Sequence, residues 1–118
     1  MDIKIYDAEY RFMCIIWDKE PVTSTELVVI CSEKFGWKKS TTYSVIKRLS
    51  ERGAIKNEKA IVTSLVSQLE VQKYESEQVI EKTFDNSLPS FIAAFIQNKK
   101  LTQDEVKQIK SMIEDATK

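Results

Sequence analysis

Apolar residues recur along most of this chain with the spacing of helices. In "YDAEYRFMCIIW", Tyr10, Met13, Cys14, Ile16 and Trp17 follow one another at three and four residues, which predicts an amphipathic first helix. Asp7 stands near its start and Pro21 just beyond its end. "TSTELVVICSEKFG" opens with Thr23 and Glu26 three apart, a capping box in which each side chain satisfies a free backbone N–H of the first turn. The second helix then runs to about Lys34 and stops at Gly36. Trp37 leads into "KKSTTYSVIKRL". Wound at about 100° per residue, Thr42, Val45, Ile46 and Leu49 form one buried stripe. Ser40, Ser44 and Lys47 lie opposite, with Tyr43 on one flank and Thr41 and Arg48 on the other. At Gly53 a left-handed residue can close this third helix.

Two short β-prone runs follow, at Ile55 and at Ile61 to Val66, separated by Asn57 to Lys59. They predict a small hairpin. Three helices and a hairpin within about 65 residues spell a winged helix-turn-helix. In that order the third helix, about 39–52, is offered to the major groove and the hairpin is the wing beside it. A DNA-binding domain is expected over 1–68.

The remainder, 69–118, is helical again. "VQKYESEQVIEKTF" is charged, with a thin stripe of Val71, Tyr74, Val79, Ile80 and Phe84. "SLPSFIAAFIQN" is short and very apolar, with Leu88, Phe91, Ile92, Phe95 and Ile96. The last segment has a capping box at Thr102 and Glu105, a staple between Leu101 and Val106, and Val106, Ile109, Met112, Ile113 and Ala116 on one face. Helices with faces this narrow are marginal alone. They must pack back onto the winged domain or against the same segment of a second chain, and the connector-like helix before them favours a two-fold dimer. The fold class expected is mostly α with a small β-hairpin: a winged helix-turn-helix and a C-terminal helical dimerisation region.

Composition narrows the chemistry. Two Gly and two Pro among 118 residues are too few for the turns of a sandwich or barrel. Histidine is absent, which removes Ser-His and Cys-His pairs and leaves Cys14 and Cys31 a poor zinc site. Both cysteines fall in apolar helical patterns and read as small buried hydrophobes. No metal, cofactor or enzymatic activity is expected. No apolar run is long enough to span a bilayer and no leader core opens the chain, so a cytoplasmic protein without membrane insertion is expected.

Charge is zero overall but unevenly placed. Residues 1–35 carry 4 Lys/Arg and 7 Asp/Glu (net −3), residues 36–66 carry 7 and 2 (net +5), and residues 67–118 carry 7 and 9 (net −2). A basic middle coinciding with the third helix and wing is the footprint of a nucleic-acid binder. The candidate DNA contacts are therefore Lys38, Lys39, Ser40, Thr41, Tyr43, Ser44, Lys47, Arg48 and, on the wing, Lys59. The hydroxyls suit base edges and phosphates, and the cations suit phosphates. Arg48, next to core Leu49, reads either as a phosphate contact or as the partner of an acid on the first or second helix.

These residues resemble the penicillinase-repressor family, the BlaI/MecI/CopY-type transcriptional repressors, over nearly the whole chain. "YDAEYRFMCIIW" looks like that family's opening D-A-E and apolar helix ending I-W. Trp37, Thr41, Ser44, Arg48-Leu49 and Gly53 match the spacing of its recognition helix, and "SLPSFIAAFIQNKKLTQDEVKQIKSMIED" resembles its apolar helix, break and final helix. The resemblance implies a homodimeric repressor on a palindromic double-stranded DNA operator of β-lactam-resistance-type genes. It implies dimerisation through the C-terminal helices and a membrane receptor-linked protease as a further partner, relieving repression by a cut aligned with the Ala94–Phe95 bond. The chain departs from the family pattern in four places. Lys38-Lys39 replace its Ser-Pro, leaving Ser40 to take over capping one turn in; the wing-tip Gly-Arg is missing; Ala94 stands where Asn is usual; and the CxC metal motif of its copper-responsive branch is absent, with no cysteine after Cys31. The other classes considered are a winged-helix regulator controlled by a small ligand, with a pocket between the C-terminal helices as its sign, and a winged-helix protein-interaction module.

Overall fold

The structure, a computed structural model, describes residues 4–118; the first three residues of the domain expected over 1–68 lie outside the described residues. In chain order the elements are α1 (Asp7–Lys19), β1 (Val22–Thr23), α2 (Ser24–Phe35), α3 (Lys39–Glu51), β2 (Ile55–Glu58), β3 (Ile61–Ser64), α4 (Gln68–Thr83), α5 (Leu88–Ile96) and α6 (Gln103–Ala116). The chain divides into two compact units, 1–77 and 78–118, and α4 begins in the first and ends in the second.

The first unit is a winged helix-turn-helix. At the start of α2 the Thr23 hydroxyl accepts from Glu26 N–H (3.1 Å) and Glu26 accepts from Thr23 N–H (3.2 Å), the capping box the sequence predicts. Gly36, at φ 70°, ends α2 in the left-handed region, where a side chain would be strained. Trp37 fills the turn to α3, stacked at 6.0 Å on Phe12 and 5.0 Å from Phe35. This aromatic cluster fixes the entry of α3. Thr42, Val45, Ile46 and Leu49 then face inward, as their period requires. Gly53 (φ 79°) turns the chain into β2.

Strands β2 and β3 pair antiparallel from Ile55 opposite Ser64 to Glu58 opposite Ile61, so Lys59 and Ala60 alone make the wing tip. Both carry positive φ (51° and 65°), the mirror-image turn whose twist suits a two-residue hairpin. The sequence did not suggest the third strand. Val22 pairs with Val62, placing β1 beside β3 in the order β1-β3-β2. Ser24 N–H donates to the Ala60 carbonyl (2.9 Å) and braces the tip.

The core gathers Phe12, Met13 and Ile16 of α1, Leu27 and Cys31 of α2, the α3 stripe, Ile55, Val62 and Val71. The buried face of α1 is displaced from the one expected. Glu9, Phe12 and Ile15 are buried, whereas Tyr10, Cys14 and Trp17 are only half-buried. Six contiguous apolar residues, Phe12 to Trp17, leave the periodicity without a unique stripe. Trp17 is half out because its indole N–H donates to the Val66 carbonyl (2.9 Å), pinning the strap before α4. Gln68 similarly donates to the Tyr10 hydroxyl (3.1 Å).

In the second unit, α5 is capped by the Ser87 hydroxyl, which accepts from Ser90 N–H, and α6 by the Thr102–Glu105 box. Phe91 packs edge-on against Phe84 (5.3 Å) and stacks on Phe95 (6.0 Å). Neither α5 nor α6 contains a buried residue.

Candidate nucleic-acid interface

Lys38, Lys39, Ser40, Thr41, Tyr43, Ser44, Lys47 and Arg48 are all exposed, on or at the start of α3, and Lys59 is exposed at the wing tip. The outer surface of α3 thus bears three hydroxyls, one phenol and four cations. Tyr43 is steadied by the Lys39 ammonium, 6.0 Å from its ring centroid.

The start of α3 differs from its neighbours. Thr23, Ser67, Ser87 and Thr102 cap α2, α4, α5 and α6 with their hydroxyls. At α3 the N-cap is Lys38, which makes no side-chain cap, and the first turn holds no acid. Ser40 does not take over capping, contrary to expectation. The helix already begins at Lys39, so Ser40 lies inside the first turn with its hydroxyl outward. The first-turn N–H groups and the positive end of the helix dipole therefore face solvent beside two lysines, an arrangement that favours an anion.

At the other end of α3, Arg48 and Arg52 converge on Glu9 of α1. Glu9 is 4% exposed. Its Oε2 lies 3.5 Å from Arg48 Nε and accepts a charge-assisted bond from Arg52 Nη2, while its Oε1 accepts from Tyr6 N–H (3.0 Å). Arg52 also donates to the Lys4 carbonyl (2.6 Å) and lies over the Tyr6 ring. Burial opposes ionisation of Glu9, but the Tyr6 N–H and the two guanidinium groups outweigh it and hold the carboxyl below its ordinary range. Of the two roles open to Arg48, the internal pair is formed, yet 57% of its side chain remains exposed. On the wing, Lys56 pairs with Glu58 at 2.7 Å.

Sequence reasoning missed Glu9, Arg52 and the Lys56–Glu58 pair. The signal for Glu9 was present: it precedes Phe12, Met13 and Ile16 by three, four and seven residues, which puts a carboxylate on the apolar face. A buried carboxylate needs a cationic or hydrogen-bonding partner.

In the second unit Leu88, Ile92, Phe95, Ile96, Ile109, Met112 and Ile113 are exposed, and Phe91 and Val106 partly so. Ala94 and Phe95 are exposed in the last turn of α5. A cavity of about 370 Å³ lies among Phe91, Ile92, Phe95, Ile96, Leu101 and Ile109. Among the described residues no group of His, Cys, Asp and Glu is placed to hold a metal, and no helix is long and apolar enough to cross a membrane.

A helix-turn-helix whose second helix exposes hydroxyls and cations beside a β-wing defines the class of winged-helix transcription regulators. The profile of the penicillinase repressor family matches residues 5–115, and the chain belongs to that family of repressors. Similar proteins include the methicillin resistance regulatory protein MecI of Staphylococcus aureus strain Mu50, 28% identical over 120 aligned positions that cover 96% of this chain and 98% of the relative. The penicillinase repressor of Bacillus licheniformis is 22% identical, covering 95% and 91%, and that of Staphylococcus aureus 23% identical, covering 98% and 95%.

Proposed function

We propose that this chain is a homodimeric, cytoplasmic repressor of β-lactam-resistance-type genes that binds a palindromic operator through α3 of each protomer. The observation that carries the reading is the uncapped, acid-free start of α3, with Lys38 and Lys39 beside it and Ser40, Thr41 and Ser44 on the outward face. Inserted N-terminus first, that face brings hydroxyls to base edges while Lys38, Lys39, Lys47 and Lys59 neutralise phosphates on either side. The winged unit reads DNA and the C-terminal helices join two copies, so two half-sites are engaged together. Relief of repression then requires separating the copies. A receptor-linked protease cutting between Ala94 and Phe95 would split the apolar face of α5. That bond lies in a helical turn ending at Ile96, so the turn must open before it is cut.

The test is a gel shift with a palindromic duplex from the protein's own promoter region. Lys39→Glu, and Thr41→Ala with Ser44→Ala, are expected to weaken binding while leaving the circular dichroism spectrum unchanged, since all three residues are exposed. Undiminished binding by both variants removes α3 from the interface. A second reading is supported by the cavity between α5 and α6, mostly apolar but also lined by Lys99 and Glu105, in which a small ligand, rather than a protease, would control the same dimer. Loss of operator binding with the chain still intact favours that alternative.

A further inference from the structure

We infer that Glu9 is a positioning residue of the DNA interface, making Arg52, at the C-cap of α3, an anchor and Arg48, within α3, a phosphate contact. This rests on the repressor reading above. Arg52 is the anchor: its guanidinium is spent on Glu9 Oε2, the Lys4 carbonyl and the face of Tyr6. Arg48, one turn earlier, offers only Nε to the same oxygen and leaves both terminal nitrogens without an acceptor among the described residues. Thr41 stands seven residues before Arg48, two turns along the same flank of α3. A DNA strand following that flank meets the Thr41 hydroxyl first and the Arg48 fork second.

The fork suits a phosphate, and a guanidinium whose Nε is ion-paired with Glu9 at 3.5 Å has less freedom to lose on binding than an unpaired one. Glu9 is itself fixed. Its second oxygen is tied to Tyr6 N–H, and its stem lies on the α1 face that carries Phe12 and Met13 into the core. It therefore cannot follow Arg48 outward, and the direction of the fork is set from beneath.

The test is fluorescence anisotropy with a labelled random-sequence duplex, titrated with salt. Arg48→Gln is expected to lower the slope of log affinity against log salt by roughly 0.9 for each phosphate it no longer neutralises. Glu9→Gln, which removes no cation, is expected to lower it equally, and Arg48→Gln added to Glu9→Gln to lower it no further. An unchanged slope in Glu9→Gln, or the tighter binding that losing a negative charge would give by itself, overturns the proposal. Arg48→Lys provides a second measurement that does not depend on the folding of Glu9→Gln, because Arg48 is exposed. The ammonium has three donors but no rigid fork for Glu9 to aim, so this variant is expected to lose part of the slope, and retention of the full slope is refuting. A wild-type protein with no salt-dependent binding overturns the repressor reading as well, whereas binding by the wild type with full slopes in both variants overturns only the role of Glu9.

Discussion

Replacement of Phe95 by alanine bears directly on the two-fold assembly. Phe95 is 57% exposed on α5, its inner face stacked on Phe91 and the Lys99 ammonium 4.2 Å from its ring centroid. A phenylalanine has roughly 150–250 Å² to bury, so on the order of 100 Å² of Phe95 still faces outward in each chain. If α5 and α6 pair across a two-fold axis, both copies are covered and about 200 Å² leaves water at this position alone. At about 25 cal/mol per Å² that area contributes about 5 kcal/mol. The alanine Cβ retains part of it, so Phe95→Ala should weaken the dimer by about three powers of ten, at about 1.4 kcal/mol for each. Sedimentation equilibrium over a range of concentrations measures this. The variant should be monomeric where the wild type is dimeric, with an unchanged circular dichroism spectrum, because Phe95 is exposed and is not among the buried core residues. An unchanged dissociation constant would mean that the exposed face of α5 is not the interface.

Three further outcomes follow from the winged unit. Trp17→Phe leaves the Val66 carbonyl without its donor and removes part of the ring system packed beside Tyr10, and should cost at least about 1 kcal/mol, read as a melting midpoint lower by roughly 4–8 °C or more; an unchanged midpoint would show that neither the bond nor the lost ring area contributes. Glu58→Gln releases Lys56 from its exposed pair, and anisotropy should show tighter, more salt-dependent DNA binding with no change in melting; equal affinity would place Lys56 away from the DNA. Glu9 holds its proton more weakly in the folded state than in the unfolded chain. Its contribution is therefore complete above the ordinary carboxylate range and drains as pH falls toward the lower folded value, so denaturation midpoints from about pH 6 to about pH 3 should fall less steeply in Glu9→Gln than in the wild type. Parallel acid limbs would rule out Glu9 as a source of acid sensitivity.

The parts of the fold legible in the sequence are those decided by neighbours within one or two turns. The boxes at Thr23–Glu26 and Thr102–Glu105 satisfy backbone groups locally, and the α3 stripe follows from helical period alone. Strand β1 was not legible because it is made by its partner: two residues after Pro21 have no strand signal until Val62 lies beside Val22. The face of α1 was illegible for a related reason. Within Phe12 to Trp17 any rotation buries apolar surface, so the choice is made by Trp37 stacking on Phe12 and by the two arginines that demand Glu9.

The same distinction governs the interface. Its outward residues were readable because they share one helix, but how much of its charge can act on DNA was not. Of the seven cations in residues 36–66, Arg52 is spent on Glu9, Arg48 is held by one nitrogen and Lys56 faces Glu58, pairings made across 43 residues, 39 residues and one hairpin strand. That leaves Lys38, Lys39, Lys47 and Lys59 unpaired among the described residues, clustered at the open start of α3, on its outer face and on the wing tip. The internal pairs do not simply subtract charge from the interface. Glu9 brings one negative charge against two arginines, so it compensates Arg52 and leaves Arg48 able to face an anion; the other uncompensated cations gather toward the start of α3, where the helix dipole adds to them, and this gives a chain of zero net charge a direction in which to approach an anion.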